Sequence, residues 1–352
     1  MRASIFIVVL TLGAGVAHAQ SKPGDRAVFT VGTVKASRGQ TATGTIEVPA
    51  GSDAALSIPI AVAHGAKPGP VLALLAGAHG TEYTSIIALE KLIAEIDAQQ
   101  LSGTVIILPL VNVPSFQKVV PHLNPIDGKN MNRMYPGKID GTQTDRASYL
   151  ITTQVVEQAD HVIDFHGGDI DESLRPYSYW NKTGKAEQDA FSRGMVLAFG
   201  LDHIIISADR PKDPKESRYF ENTASTRGKP SITVEAGHAG TVEADDLAVL
   251  VNGTLSVMRY LKMLPGAPMQ ADNPIWIDHL ADVAADQGGI FYPLVKRGSY
   301  IGAGMKIGYV TDYVGKLVYE ARAKEAGVLL YVRAVPSINK GDTVASVGVV
   351  SK

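Results

Sequence analysis

The segment from Pro70 to Gln99 limits what this chain can fold into more than any other. Pro70-Val-Leu-Ala-Leu-Leu-Ala76 is an apolar run that reads as a buried strand. Glu82 to Gln99 reads as an amphipathic helix, with Ile86, Ile87, Leu89, Leu92, Ile93 and Ile96 on its apolar side. Between them, Gly77-Ala78-His79-Gly80-Thr81-Glu82 must be a strand-to-helix turn, and its glycines let the backbone fold tightly. His79 and Glu82 can bring an imidazole and a carboxylate to one point. A catalytic zinc site takes three protein ligands and leaves a fourth position for water, so this turn holds most of one. The same residues also describe an ordinary helix start, with Thr81 as a cap and an acid in the first turn.

The rest of the chain extends the strand–helix pattern. Ala27 to His64 favours strands and turns. Thr104–Val111, His161–Phe165, His203–Ser207 and Ser231–Val234 then read as strands, with helices at Ala147–Gln158, Gln188–Phe199 and Asp245–Leu264. Such alternation predicts a mixed, mostly parallel sheet flanked by helices. Residues 112–145 form a long Pro- and Asn-rich connection, and connections of that length are usually functional. Residues 265–274 are a linker by composition, and the glycine-punctuated β-prone runs of 275–352 predict a small all-β sandwich or barrel domain. Met305-Lys306-Ile307 resembles the lysine of lipoyl- or biotinyl-type carriers, but a structural module is expected there.

Residues 1–20 read as an export signal, with Arg2, the apolar run Ile5 to Leu12, and Ala17-His18-Ala19 as a cleavage site. The catalytic region then spans 21–264, and the mature protein is expected to be periplasmic or secreted, with no membrane association after cleavage. The absence of cysteine suits an oxidising compartment and excludes thiolate chemistry. A net charge of −2 without any basic stripe argues against a nucleic-acid partner.

Further site residues are sought at other strand ends, where ligands of open α/β sheets gather. His161-Val-Ile-Asp-Phe-His166-Gly167-Gly168 ends a strand at His166, with Asp164 on the same face as a candidate orienting carboxylate. Thr233-Val234-Glu235-Ala236-Gly237-His238 ends another, and Glu235 is placed to act as a general base. His238 competes with His166 as a ligand and ranks below it. In the long connection, Asn132 and Arg133 offer an amide and a planar guanidinium fork for a substrate carboxylate.

His79-x-x-Glu82, Asn132-Arg133 with Tyr135-Pro136-Gly137, Asp164-x-His166-Gly167 and Glu235-x-Gly237 occur in the order seen in the succinylglutamate desuccinylase/aspartoacylase family, a branch of the zinc carboxypeptidase clan, which the chain resembles from about residue 60 to 350. The resemblance implies Zn2+ held by His79, Glu82 and His166, Glu235 as general base and acid, and Arg133 as a carboxylate anchor. It implies hydrolysis of an amide bond beside a carboxylate-bearing group, in an N-acyl amino acid or a peptide. Two departures stand out. The Arg that family members carry before the Asn-Arg pair is missing, which leaves His122, Arg146 and Arg175 as cations to polarise the scissile carbonyl. Asn130 stands where carboxypeptidase relatives have an Asp that orients the first His, so Asp127 or a backbone carbonyl is the expected substitute. A non-catalytic protein holding a carboxylated ligand is the competing class. A serine hydrolase is excluded by the lack of a Gly-x-Ser-x-Gly elbow.

Overall fold

A computed structural model describes residues 26–350, so the export signal and its cleavage site lie outside the described residues. The strand Lys67–Leu75 is the spine of a twelve-stranded mixed sheet. It pairs in parallel with Ser102–Leu108 on one side and with His161–His166 on the other. His161–His166 in turn pairs in parallel with Ser231–His238. Leu56–His64 and Gln40–Val48 extend one side of the sheet antiparallel.

Alternation along the spine divides the interior in two. Leu72 and Leu74 face a core shared with the helices Tyr83–Glu95, Ala186–Phe199 and Ala244–Tyr260. Val71, Ala73 and Leu75 face the opposite core, which takes in Ala147 and Ile151 of the helix Gln143–Gln154. Both faces of this strand are therefore dry, which explains its unbroken apolar sequence. Truncating Leu72 or Leu74 to Ala would cost about 2–5 kcal/mol.

One strand of the sheet has no counterpart in the sequence reading. Glu172–Asn181 lies antiparallel to Ser231–His238 and parallel to His203–Ser207, which makes the sheet more evenly mixed than expected. Its Glu, Ser, Arg, Pro and Asn residues show no apolar alternation, so only pairing on both edges holds it. A short helix, Phe220–Ser225, was also not legible; it packs beside His161–His166 and Ser231–His238.

Residues 275–350 contain strands and no helix, and they are stitched into the main sheet at two places. Ile275–Ala284 pairs in parallel with His203–Ser207. Gly327–Arg333 pairs with Thr343–Val350, which pairs with Ile275–Ala284. At its far end Gly327–Arg333 returns to Glu172–Asn181, with Tyr331 opposite Leu174. A four-stranded sheet packs over these strands through a core that includes Phe291, Ile307, Val310, Leu329 and Val347. Lys306 forms an ion pair with Glu320 at 2.6 Å there.

Candidate metal centre and active-site pocket

His79 leaves the spine strand on a backbone turn pressed against Asn112–Phe116; a Cβ on Gly80 would stand 2.2 Å from the Phe116 nitrogen, so only glycine fits. Glu82 is the residue before the first helical position, Tyr83, so its carboxylate projects from the turn rather than along the helix. His166 ends the neighbouring strand, and the chain escapes behind it through Gly167 and Gly168. Cβ atoms there would lie 1.9 Å from the Ala236 oxygen and 2.2 Å from the Gly237 carbonyl carbon. That close backbone approach brings the ends of the two parallel strands together and sets His166 beside Glu235.

The three side chains converge. Nδ1 of His79 is 2.6 Å from one Glu82 oxygen, and Nδ1 of His166 is 3.0 Å from the other. One ligand atom from each of His79, Glu82 and His166 lies within 4.8 Å of the others, an arrangement that could hold a metal ion. Burial works against the Glu82 carboxylate, yet the two imidazoles prevail and hold its pKa down at about 2. Burial likewise disfavours the His166 imidazolium, but Asp164 and Glu82 push its pKa well above the ordinary imidazole value.

The groups behind the ligands fit a cation. Nε2 of His79 faces the Asn130 side-chain oxygen at 3.2 Å, so Asn130 itself orients this imidazole. Asp127 does not: its carboxylate accepts from the backbone amide and hydroxyl of Thr144 at the start of a helix. Nε2 of His166 is 3.4 Å from Asp164. Both Asp164 oxygens are buried without a hydrogen-bond partner, a costly state for a carboxylate. Asp164 is placed to accept from His166 Nε2 and so to orient this imidazole for a metal that His79, Glu82 and His166 would hold.

A cavity of about 410 Å³ opens in front of this centre and is lined by His79, Glu82, Arg133, His166 and Glu235 among others. Burial pushes the Glu235 carboxyl well above the usual carboxylate range, with Glu82, Glu172 and Asp164 adding to it and His166 opposing. Arg133 makes no ion pair among the described residues; one of its nitrogens donates to the Asn132 carbonyl at 2.7 Å, and its guanidinium lies 4.8 Å over the Tyr219 ring. Asn132 lines the cavity; its side-chain oxygen accepts from the Phe220 amide at 3.0 Å and its nitrogen lies 2.8 Å from His166 Nε2. His238 is bonded to Ser173 and does not join the three ligands.

None of the three cations considered for carbonyl polarisation lines the cavity. Arg146 is 2 % exposed and tied to Asp53, Pro49 and Gly141. Arg175 pairs with Asp202. His122 stacks edge-on to His79, but its ring is held between Asp169 and Asp171, and these with Glu172 outweigh burial to raise its pKa to about 9. Besides Arg133, the cation that lines the cavity is Arg210, 3.1 Å from Glu221 and 4.0 Å from the centre of the same Tyr219 ring that Arg133 approaches. It lies in the loop after His203–Ser207, where nothing in the sequence marks it. The remaining wall comes from the β-rich region: Leu280, Asp282, Leu330, Tyr331, Thr343 and Ser346.

Comparison with known proteins gives the family. Residues 68–261 match the Succinylglutamate desuccinylase/Aspartoacylase catalytic domain. The chain is 29% identical over 313 residues to the N-alpha-acetyl-L-2,4-diaminobutyric acid deacetylase of Halomonas elongata, covering 86% of this chain and 90% of that one. The product-bound structure of the ectoine utilization protein EutE (DoeB) from Ruegeria pomeroyi superposes with a TM-score of 0.81 at 26% identity, covering 94% of this chain and 100% of that chain. A succinylglutamate desuccinylase/aspartoacylase structure from Rhodobacter sphaeroides shares the fold at a TM-score of 0.79 and 24% identity, covering 89% and 96% of the two chains. The chain belongs to the succinylglutamate desuccinylase/aspartoacylase family.

Proposed function

We propose that this member of the family is a zinc-dependent amidohydrolase that removes the acyl group from a small N-acyl amino acid. The observation that carries the reading is the convergence of His79, Glu82 and His166 with Glu235 and Arg133 on one cavity. His79, Glu82 and His166 would hold the zinc, which supplies a Lewis acid for the amide carbonyl and acidifies water. Glu235 takes the proton from the attacking water and delivers it to the leaving nitrogen, a role its place in the cavity lining beside His166 allows. Arg133 receives the substrate carboxylate, and Tyr219 holds its guanidinium plane. A base at the bottom of the pocket has no use in a protein that only binds. The β-rich wall of Leu330 and Tyr331 favours a small substrate over a long peptide. The deacetylase relative supports an N-acyl amino acid, with N-acetyl-2,4-diaminobutyrate as a first compound to try.

A panel of N-acetyl and N-succinyl amino acids and C-terminal dipeptides, assayed with and without chelator, tests this. Chelator-sensitive release of the acyl group from at least one N-acyl amino acid is expected. Hydrolysis of dipeptides alone would move the protein to the peptidases. Cleavage of the export signal after Ala19 would leave a mature chain beginning at Gln20 and located in the periplasm or outside the cell. Mass spectrometry of the protein from its native host should find that terminus, and an intact Met1 in the soluble fraction overturns it.

A further inference from the structure

The cavity is electrically uneven. Arg133 and Arg210 flank Tyr219 at one part of it. Arg210 also lies 5.5 Å from the ring of Tyr179, near the last residues of the strand Glu172–Asn181. The first residue of that strand, Glu172, lines the same cavity and carries an acid. Arg210 is matched by Glu221 in the same lining, so the strand has Arg133, unpaired among the described residues, near one end of the cavity and the Glu172 carboxylate at the other.

Glu172 has no role in the reaction as derived above, and the one imidazolium near it, His122, is shared with Asp169 and Asp171, so three acids face a single cation. One of its oxygens accepts from the Asp169 amide at 3.3 Å, and no Lys or Arg forms an ion pair with it among the described residues. Arg333 is its register partner on the adjacent strand, but that guanidinium turns to Asp171 and Asp342, 3.6 and 3.5 Å away. Burial, with Glu82 and Asp171 adding to it and His122 and His79 opposing, pushes the Glu172 carboxyl up to about 7. A buried acid in that condition gains from any cation placed against it. The β-rich wall adds a second acid to the same cavity, Asp282, held by the Ser346 hydroxyl at 2.6 Å.

We propose that Glu172, assisted by Asp282, is a specificity-determining residue that selects substrates carrying an ammonium group in addition to the carboxylate taken by Arg133. The inference rests on the deacylase reading and names its substrate class: a zwitterionic N-acyl amino acid. The ammonium can sit on the amino-acid side chain, as in an Nα-acyl diamino acid, or on the acyl part, as in an aminoacyl amide. Both present the same charge to Glu172. Glu172 touches no reacting atom, so it governs which amide enters rather than how the amide is cut.

The test compares kcat/KM for three compounds on the zinc-loaded enzyme: Nα-acetyl-2,4-diaminobutyrate, glycyl-2-aminobutyrate, and the neutral N-acetyl-2-aminobutyrate. At least one cationic compound should be preferred over the neutral one by ~10-fold or more, the scale for a charge meeting a partly desolvated acid. Preference for the diaminobutyrate compound puts the ammonium on the amino-acid side chain, and preference for glycyl-2-aminobutyrate with the acetyl compounds also cut puts it on the acyl part; cleavage of the dipeptide alone overturns the deacylase reading. Glu172→Gln should bring the preference to within ~3-fold, mainly through KM, while zinc content stays stoichiometric. If that variant does not fold, Asp282→Asn in the exposed wall should reduce the same preference in part. Equal or better hydrolysis of the neutral compound by the wild-type enzyme overturns this proposal and leaves the deacylase reading standing. An unchanged preference in a folded Glu172→Gln variant also overturns it. Failure to cut any of the three, or any other N-acyl amino acid, overturns the deacylase reading itself.

Discussion

Glu235 and His166 are register partners on two adjacent parallel strands, so a carboxylate and an imidazole stand side by side where the parallel pairing of those strands ends. They are distant in sequence, and their closeness depends on the absence of any side chain at Gly167 and Gly168. Base and ligand are thereby fixed by rigid backbone rather than by a mobile loop, which is the arrangement that keeps reacting groups in register.

Glu235→Gln should therefore be a clean separation of binding from turnover. The amide has the same shape but cannot accept a proton, so zinc content and melting temperature should match wild type. Turnover should fall by at least ~100-fold. Near-normal kcat on a confirmed substrate would falsify the assignment.

The metal centre should be pH-dependent in a set direction. His166 holds its proton to well above the ordinary imidazole value, because Asp164 and Glu82 outweigh burial. Zinc must displace that proton, so affinity should rise about tenfold per pH unit across neutrality, until the His166 pKa is passed. Chelator competition between pH 6 and 8 (a range of ordinary buffers) measures the slope, and a flat profile contradicts the proton displacement. His79→Ala and His166→Ala should each abolish stoichiometric zinc. Asp164→Asn should weaken it ~10–100-fold, the usual effect of losing a carboxylate behind a ligating histidine.

Arg133 is expected to read a free carboxylate. The wild-type enzyme should prefer an N-acyl amino acid to its C-terminal amide by on the order of a few kcal/mol, since the amide leaves the guanidinium unpaired. Arg133→Ala should lose most of that discrimination and keep its zinc. An enzyme that cuts acid and amide equally well ends the carboxylate reading.

Arg146 should behave as a structural residue. It is buried, paired with Asp53 and bonded to the Pro49 and Gly141 carbonyls, well outside the cavity lining. Arg146→Leu strands these acceptors and should cost roughly 3–5 kcal/mol in stability. Below the melting transition, the folded fraction should retain wild-type KM and kcat. A specific loss of kcat in well-folded protein would instead connect Arg146 to the chemistry.

Much of this protein was written locally. The apolar run Val71–Leu75 announces a strand buried on both faces, and the glycine-flanked His79-x-x-Glu82 announces a turn that aims two polar side chains at one point. Four ordered motifs were enough for the family, because each motif sits at the end of a recognisable strand or in the long connection. Tertiary structure alone decided the rest. The strand Glu172–Asn181 exists only because neighbours on both edges hydrogen-bond it, and its polar sequence carries no periodic signal. Arg210 and Glu172 came into the cavity by that pairing, from segments that read as ordinary loop and polar chain. Asn132 was legible as a site residue, but that its amide also lies against His166 was set by where Phe220 placed its backbone nitrogen. The β-rich region became a wall of the pocket when Tyr331 paired opposite Leu174. Periodicity and turn chemistry report what a segment does with its own backbone. Which side chains meet across the cavity depends on strand order and register, which are settled by contacts between residues far apart in the chain.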